Sequence, residues 1–102
     1  MVLKIRISSP NIFVNLYLDS EKNIIDYNGK ELYKNIDCEI NNLLNIISNW
    51  QDFSSPFIDF DSETFEVEII NKNSSKKFSG AGDYPKNYCE FKNIVKEIIK
   101  CF

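Results

Sequence analysis

Val2-Leu3-Lys4-Ile5-Arg6-Ile7-Ser8 is the stretch that decides the fold class. Leu3, Ile5 and Ile7 fall on one side of an extended chain, and Lys4 and Arg6 fall on the other. Alternation with period two marks a strand with one face buried and one in water. Working outward, Pro10-Asn11 breaks this strand and a second follows over 12–19. There Ile12, Val14, Leu16 and Leu18 point one way, while Phe13, Asn15 and Tyr17 point the other. Residues 19–23 read as a hairpin turn into a short third strand, Ile24–Tyr27. Asn28-Gly29, the dipeptide that best tolerates positive φ, should end that strand sharply.

The period then changes. Ile36, Ile40, Leu43, Leu44, Ile47 and Trp50 recur at three- and four-residue steps, which predicts an amphipathic helix over 35–50. Asp37 and Glu39 in its first turn suit the positive end of the helix dipole. Its outward face is mostly Asn, a weak helix former, so packing must hold it. Ser54-Ser55-Pro56 reads as a loop, with a short extended segment expected over 57–60. A firm strand follows over 64–71, with Phe65, Val67 and Ile69 inward and Glu66 and Glu68 outward. A brief return strand is expected over 76–78, closed by Gly80-Ala81-Gly82. Asp83 is a candidate helix cap, and Pro85 suits a first helical turn. Tyr84, Tyr88, Phe91, Val95, Ile98 and Phe102 then stripe a last helix over 86–101. The predicted order is β-β-β-α-β-β-α. It describes an α+β fold with an antiparallel sheet of four to five strands and two amphipathic helices on one face.

A length of 102 residues fits one domain, 1–102, without room for a second core. An apolar share of 43% and an aromatic share of 14% exclude a disordered acidic tail. No apolar run approaches the roughly 20 residues that span a bilayer. The first residues alternate where a secretory signal needs an unbroken apolar stretch, so a cytoplasmic chain is expected. Cys38, Cys89 and Cys101 are odd in number and form no C-x-x-C pair, which suggests reduced, buried or half-buried thiols. The bias toward Ile, Asn and Lys suits an AT-rich bacterial or phage genome.

The net charge of −3 hides a strong segregation. Between Lys34 and Lys72 lie eight acids and no base: Asp37, Glu39, Asp52, Asp59, Asp61, Glu63, Glu66 and Glu68. Residues 72–102 carry seven bases against three acids. Segregation of this kind bears on which partners approach and where they dock. The acids are interleaved with Trp50, Phe53, Phe57, Ile58 and Phe60, types suited to interface anchoring. An acidic rim around aromatic anchors steers a basic partner and then holds it. The plain alternative is a solvated acidic surface.

Little else in the sequence carries chemistry. Histidine is absent, and with it the commonest neutral-pH base and metal ligand. No carboxylate pair stands out for acid–base work, so a non-enzymatic chain without cofactor or metal is expected. Asp59-x-Asp61-x-Glu63 resembles part of a calcium loop but lacks its sixth-position Gly and its distant Glu. Ser79-Gly80-Ala81-Gly82 ahead of a helix has the make-up of a phosphate cradle, with Lys76 and Lys77 near and Asp83 opposing. A turn and a cap explain it more simply. The lysines of the last helix alternate with acids, and Arg6 is the sole arginine, which argues against direct nucleic-acid reading.

Trp50, then Phe65-Glu66-Val67-Glu68-Ile69-Ile70, then Phe78 through Tyr88 with its Tyr84-Pro85-x-x-Tyr88 opening the last helix, resemble small immunity proteins of bacterial toxin–immunity systems. The WapI-type and contact-dependent-inhibition immunity proteins are of this kind. The resemblance covers roughly the C-terminal half and carries over no individual binding residue. It implies a cytoplasmic inhibitor that binds a toxin domain, often through an acidic patch against a basic nuclease. The charge pattern leads to a similar, less specific expectation: a protein-binding inhibitor, monomeric or weakly dimeric, with no membrane partner. Its contact residues would be Trp50, Asp52, Phe57, Asp59, Phe60, Asp61, Glu63, Glu66 and Glu68. The rival expectation is a phage-encoded, anti-CRISPR-like inhibitor that mimics nucleic-acid charge.

Overall fold

The computed structural model describes residues 1–50, 63–81, 84–100 and 102. In chain order the elements are β1 (Val2–Ser8), β2 (Phe13–Asp19), β3 (Ile24–Tyr27), β4 (Lys30–Tyr33), α1 (Asp37–Ile47), β5 (Thr64–Ile70), β6 (Ser75–Ala81) and α2 (Tyr88–Ile99). Among the described residues the strands form one antiparallel sheet in the order β4-β3-β2-β1-β5-β6. The α+β class, the antiparallel sheet and the two helices are as the sequence predicts.

The sheet gains a strand that the periodicity does not announce. Asn28 and Gly29 both take positive φ and turn the chain back on itself, as read. Lys30-Glu31-Leu32-Tyr33 then pairs with β3 instead of entering a loop. Four residues with one half-buried position leave no alternation to detect. Asn28 has a second role. Its side-chain Oδ1 accepts from the Asn15 amide at 2.7 Å, and its Nδ2 donates to the Phe13 carbonyl at 3.1 Å. These bonds occupy the part of β2 that extends past the end of β3.

β6 is also longer than the predicted 76–78. Gly80 lies opposite Phe65 and Ala81 opposite Thr64, so the expected glycine turn continues the ladder. Gly82 and Asp83 lie outside the described residues, as do the extended segment at 57–60 and the capping role of Asp83. Both helices are shorter than the stripes suggested. Asn35 accepts from the Asp37 amide at 3.0 Å to open α1, and Ser48 closes it. α2 begins only at Tyr88, because Asn87 takes a left-handed conformation (φ 65°).

One core forms from both stripes and from a single face of the sheet. Leu3, Ile5 and Ile7 meet Leu18, Leu16 and Val14 on one side and Ile69, Val67 and Phe65 on the other. Ile36, Ile40, Leu43 and Ile47 of the first stripe and Tyr88, Phe91, Val95 and Ile98 of the second pack against them. Both helices therefore cover the same face, and they touch each other. Among the described residues no helix is long and apolar enough to cross a membrane.

Candidate functional site

The strand residues of opposite parity form the other face of the sheet, and no helix covers it among the described residues. The register fixes its pattern. One row reads Glu31, Asp26, Tyr17, Lys4, Glu68 and Lys77 from β4 to β6. The next reads Asn15, Arg6, Glu66 and Ser79. Directly opposed side chains in such rows stand roughly 5 Å apart at Cβ, so each Glu of β5 faces a base. Glu66 also forms an ion pair with Lys77, whose pKa is held above the usual lysine value by that hydrogen bond and by the charges of Glu66 and Glu68. A depression of about 580 Å³ lies on this face over β1 to β4, where Lys4, Arg6 and Lys22 alternate with Asp19, Asp26 and Glu31. Two aromatics stand out from it: Phe13 is 55% exposed and Tyr33 71%.

Of the expected contact residues, Glu66 and Glu68 lie on this open face. Asp52, Phe57, Asp59, Phe60 and Asp61 lie outside the described residues. Trp50 is corrected from the surface to the core. The sequence placed it both on the α1 stripe and among surface anchors, and the stripe prevails: it is 4% exposed. Its ring meets Phe65, Phe78 and Phe91 edge-on, with centroids 5.0 to 5.8 Å apart. Its Nε1 donates to the Lys86 carbonyl at 3.0 Å, satisfying the one polar atom of a large apolar ring.

Glu63 is bound inside the fold. Tyr88 donates its hydroxyl to Oε2 and Lys92 its ammonium to Oε1, each at 2.9 Å. Tyr84 donates to the Glu63 carbonyl at 2.7 Å and stacks on Tyr88. Burial first, and then the hydrogen bond and charge of Glu63, push the Tyr88 phenol well above its ordinary pKa. This cluster ties the start of β5 to α2. The sequence resemblance had flagged both tyrosines, but without the fold nothing linked them to Glu63.

The described acids at and just before β5 are thus compensated across strands rather than along the chain. Glu63, Glu66 and Glu68 each have a base at hand, on α2, β1 or β6. Asp37 and Glu39 remain on the first turn of α1. Cys38 and Cys89 are exposed free thiols, not the buried or half-buried ones expected, because Cys38, two residues from Ile36 and Ile40, and Cys89, next to Tyr88, both fall off the inward stripes. Phe13 and Tyr33 escaped the sequence reading as site residues. Their signal was present in Phe13, the large apolar residue on the polar side of β2.

Among known proteins, no family model matches the chain and no curated protein matches it significantly.

Proposed function

We propose that the chain is a non-enzymatic inhibitor that binds another protein, of the bacterial immunity type, with a basic toxin or nuclease domain as its partner. The observation that carries this reading is the open face of the sheet. A helix-covered sheet needs only one buried face, yet the other presents Phe13 and Tyr33 in the two rows that flank its rows of charge, one on either side. Exposed aromatics beside charged groups are the make-up of a protein interface. Asp52, Asp59 and Asp61, with Phe57 and Phe60, add the acidic and aromatic element that would steer a basic partner. The chain would act in the cytoplasm, as a monomer or weak dimer. A nucleic-acid mimic would need acids without opposing bases, and the pairing of Glu66 and Glu68 with Arg6, Lys4 and Lys77 does not favour it.

The test is a pull-down from lysate of the source organism at low and high salt, with the wild type and a Phe13→Ser/Tyr33→Ser variant. One basic toxin or nuclease domain should be held by the wild type, released by salt and missed by the variant. Asp59→Asn and Asp61→Asn should slow its association. Equal capture by the variant would remove the sheet face from the interface. Capture of a defence-complex subunit would move the assignment to the mimic, and no partner at either salt would end the binding reading.

A further inference from the structure

A second feature lies on the opposite side of the sheet, at the end of the core. Between α2 and the turn joining β1 to β2 there is a cleft of about 160 Å³. Ile7 and Val14 form its wall on the sheet, and Val95 and Ile99 form its wall on the helix. A cavity of roughly 150 Å³ with apolar walls is large enough for a benzene ring. The mouth is unusually apolar for a surface. Ile12 is 46% exposed there, and Tyr27 carries the ring of Phe102, itself 40% exposed, at 5.6 Å. A ligand body seated in the cleft would take this apolar surface out of water.

The rim supplies the sign of the charge. Glu63, Lys92 and Lys96 reach it. Both carboxylate oxygens of Glu63 are occupied, one of them by Lys92. Lys96, one helical turn further along the same face, has no ion-pair partner among the described residues. Among the described residues the cleft is therefore an apolar slot with one unpaired cation at its edge. A ligand cation would meet that ammonium unfavourably, and a neutral ring would leave it unmatched. From this juxtaposition we propose that the cleft binds a small hydrophobic carboxylate, its ring or short alkyl chain between Ile7, Val14, Val95 and Ile99 and its carboxylate on Lys96. The proposal is independent of the docking reading of the open face.

The experiment is a titration of the isotope-labelled full chain with 3-phenylpropanoate and, separately, 3-phenylpropanol, followed by NMR. Saturable shifts should be confined to Ile7, Val14, Val95, Ile99 and their neighbours. The acid should bind about fivefold more tightly than the alcohol, the upper range for an exposed ion pair. Lys96→Met, an exposed substitution that leaves the core intact, should bring the two affinities together. Three results would overturn the proposal: no saturable shift with either probe, equal affinity of acid and alcohol for the wild type, or a preference for the acid that survives in Lys96→Met.

Discussion

The two faces of the sheet are built from the same strands and obey different physics. On the inner face Leu3, Ile5, Leu16, Leu18 and Val67 are fully buried. Each such side chain gains about 1.5–3 kcal/mol from leaving water, whatever its apolar neighbour. On the outer face Lys4, Arg6, Glu66, Glu68 and Lys77 meet only through the register of three strands. Their interactions are directional, exposed and screened by salt. The inner face thus holds the fold together, while the outer face carries a charge pattern that the fold does not need.

Adjacent residues of β1 give the largest test of that division. Ile5→Ala removes buried apolar volume and should cost about 2–5 kcal/mol. Arg6→Ala, one residue on and facing out, should change stability by no more than about 0.5 kcal/mol. Urea denaturation of the two variants measures both. Comparable losses would mean that the outer charges hold the sheet together, and the comparison would collapse.

Tyr88 tests the border where the inner face meets α2. Tyr88→Phe keeps the ring packing but removes a hydrogen bond to a charged carboxylate, an expected loss of about 1.5–3 kcal/mol. Its pH dependence has a definite sign. The folded phenol is held neutral above its ordinary pKa of 10.0, so the folded state binds more protons than the unfolded one at alkaline pH. Its contribution is complete below about pH 10 and declines as pH rises beyond that. Ultraviolet titration should therefore show a late tyrosine step that coincides with unfolding. That step should be missing from Tyr88→Phe. A wild-type titration without such a step would show that Tyr88 ionises in the folded state.

The same division explains what could be read in advance. Burial leaves a trace in local order. The alternation of β1, β2 and β5 and the stripes of both helices gave the core almost residue by residue, including the inward position of Trp50. Register leaves none. That Arg6 would face Glu66, or Lys92 reach Glu63, depends on residues 29 to 60 positions apart, so the acids at β5 looked uncompensated. β4 was missed for a related reason, since its four residues are an outer strand with little to bury. The ends of the stripes misled differently: Tyr84 and Phe102 keep the period of α2 but lie beyond it and remain partly exposed.

Asn28 tests the one place where a local signal also carries a long-range contact. Asn28→Ala removes both bonds to β2 and places a residue with a Cβ and no side-chain amide at positive φ. The expected loss is about 1–2 kcal/mol. Asn28→Gly relieves the backbone but still lacks the amide, so it separates the two terms. If Asn28→Gly is as stable as the wild type, the turn conformation accounts for the whole effect and the bonds to Asn15 and Phe13 contribute nothing.

The smallest effect on stability is expected at Lys77, and it is the most informative about function. Lys77 is exposed, and its pairing with Glu66 lies in water on the open face. Lys77→Met should leave the urea midpoint unchanged at physiological salt. The same substitution uncovers Glu66 and Glu68 and makes this part of the face more acidic. If the face docks a basic partner, association should quicken at low salt and its dependence on salt should steepen. Ile5→Ala should do the reverse, lowering stability without changing the association rate of the folded fraction. A fall in the Lys77→Met midpoint would return the outer charges to the stability of the fold. An unchanged midpoint with unchanged association would leave them as solvated surface, and the docking reading would then rest on the aromatics alone.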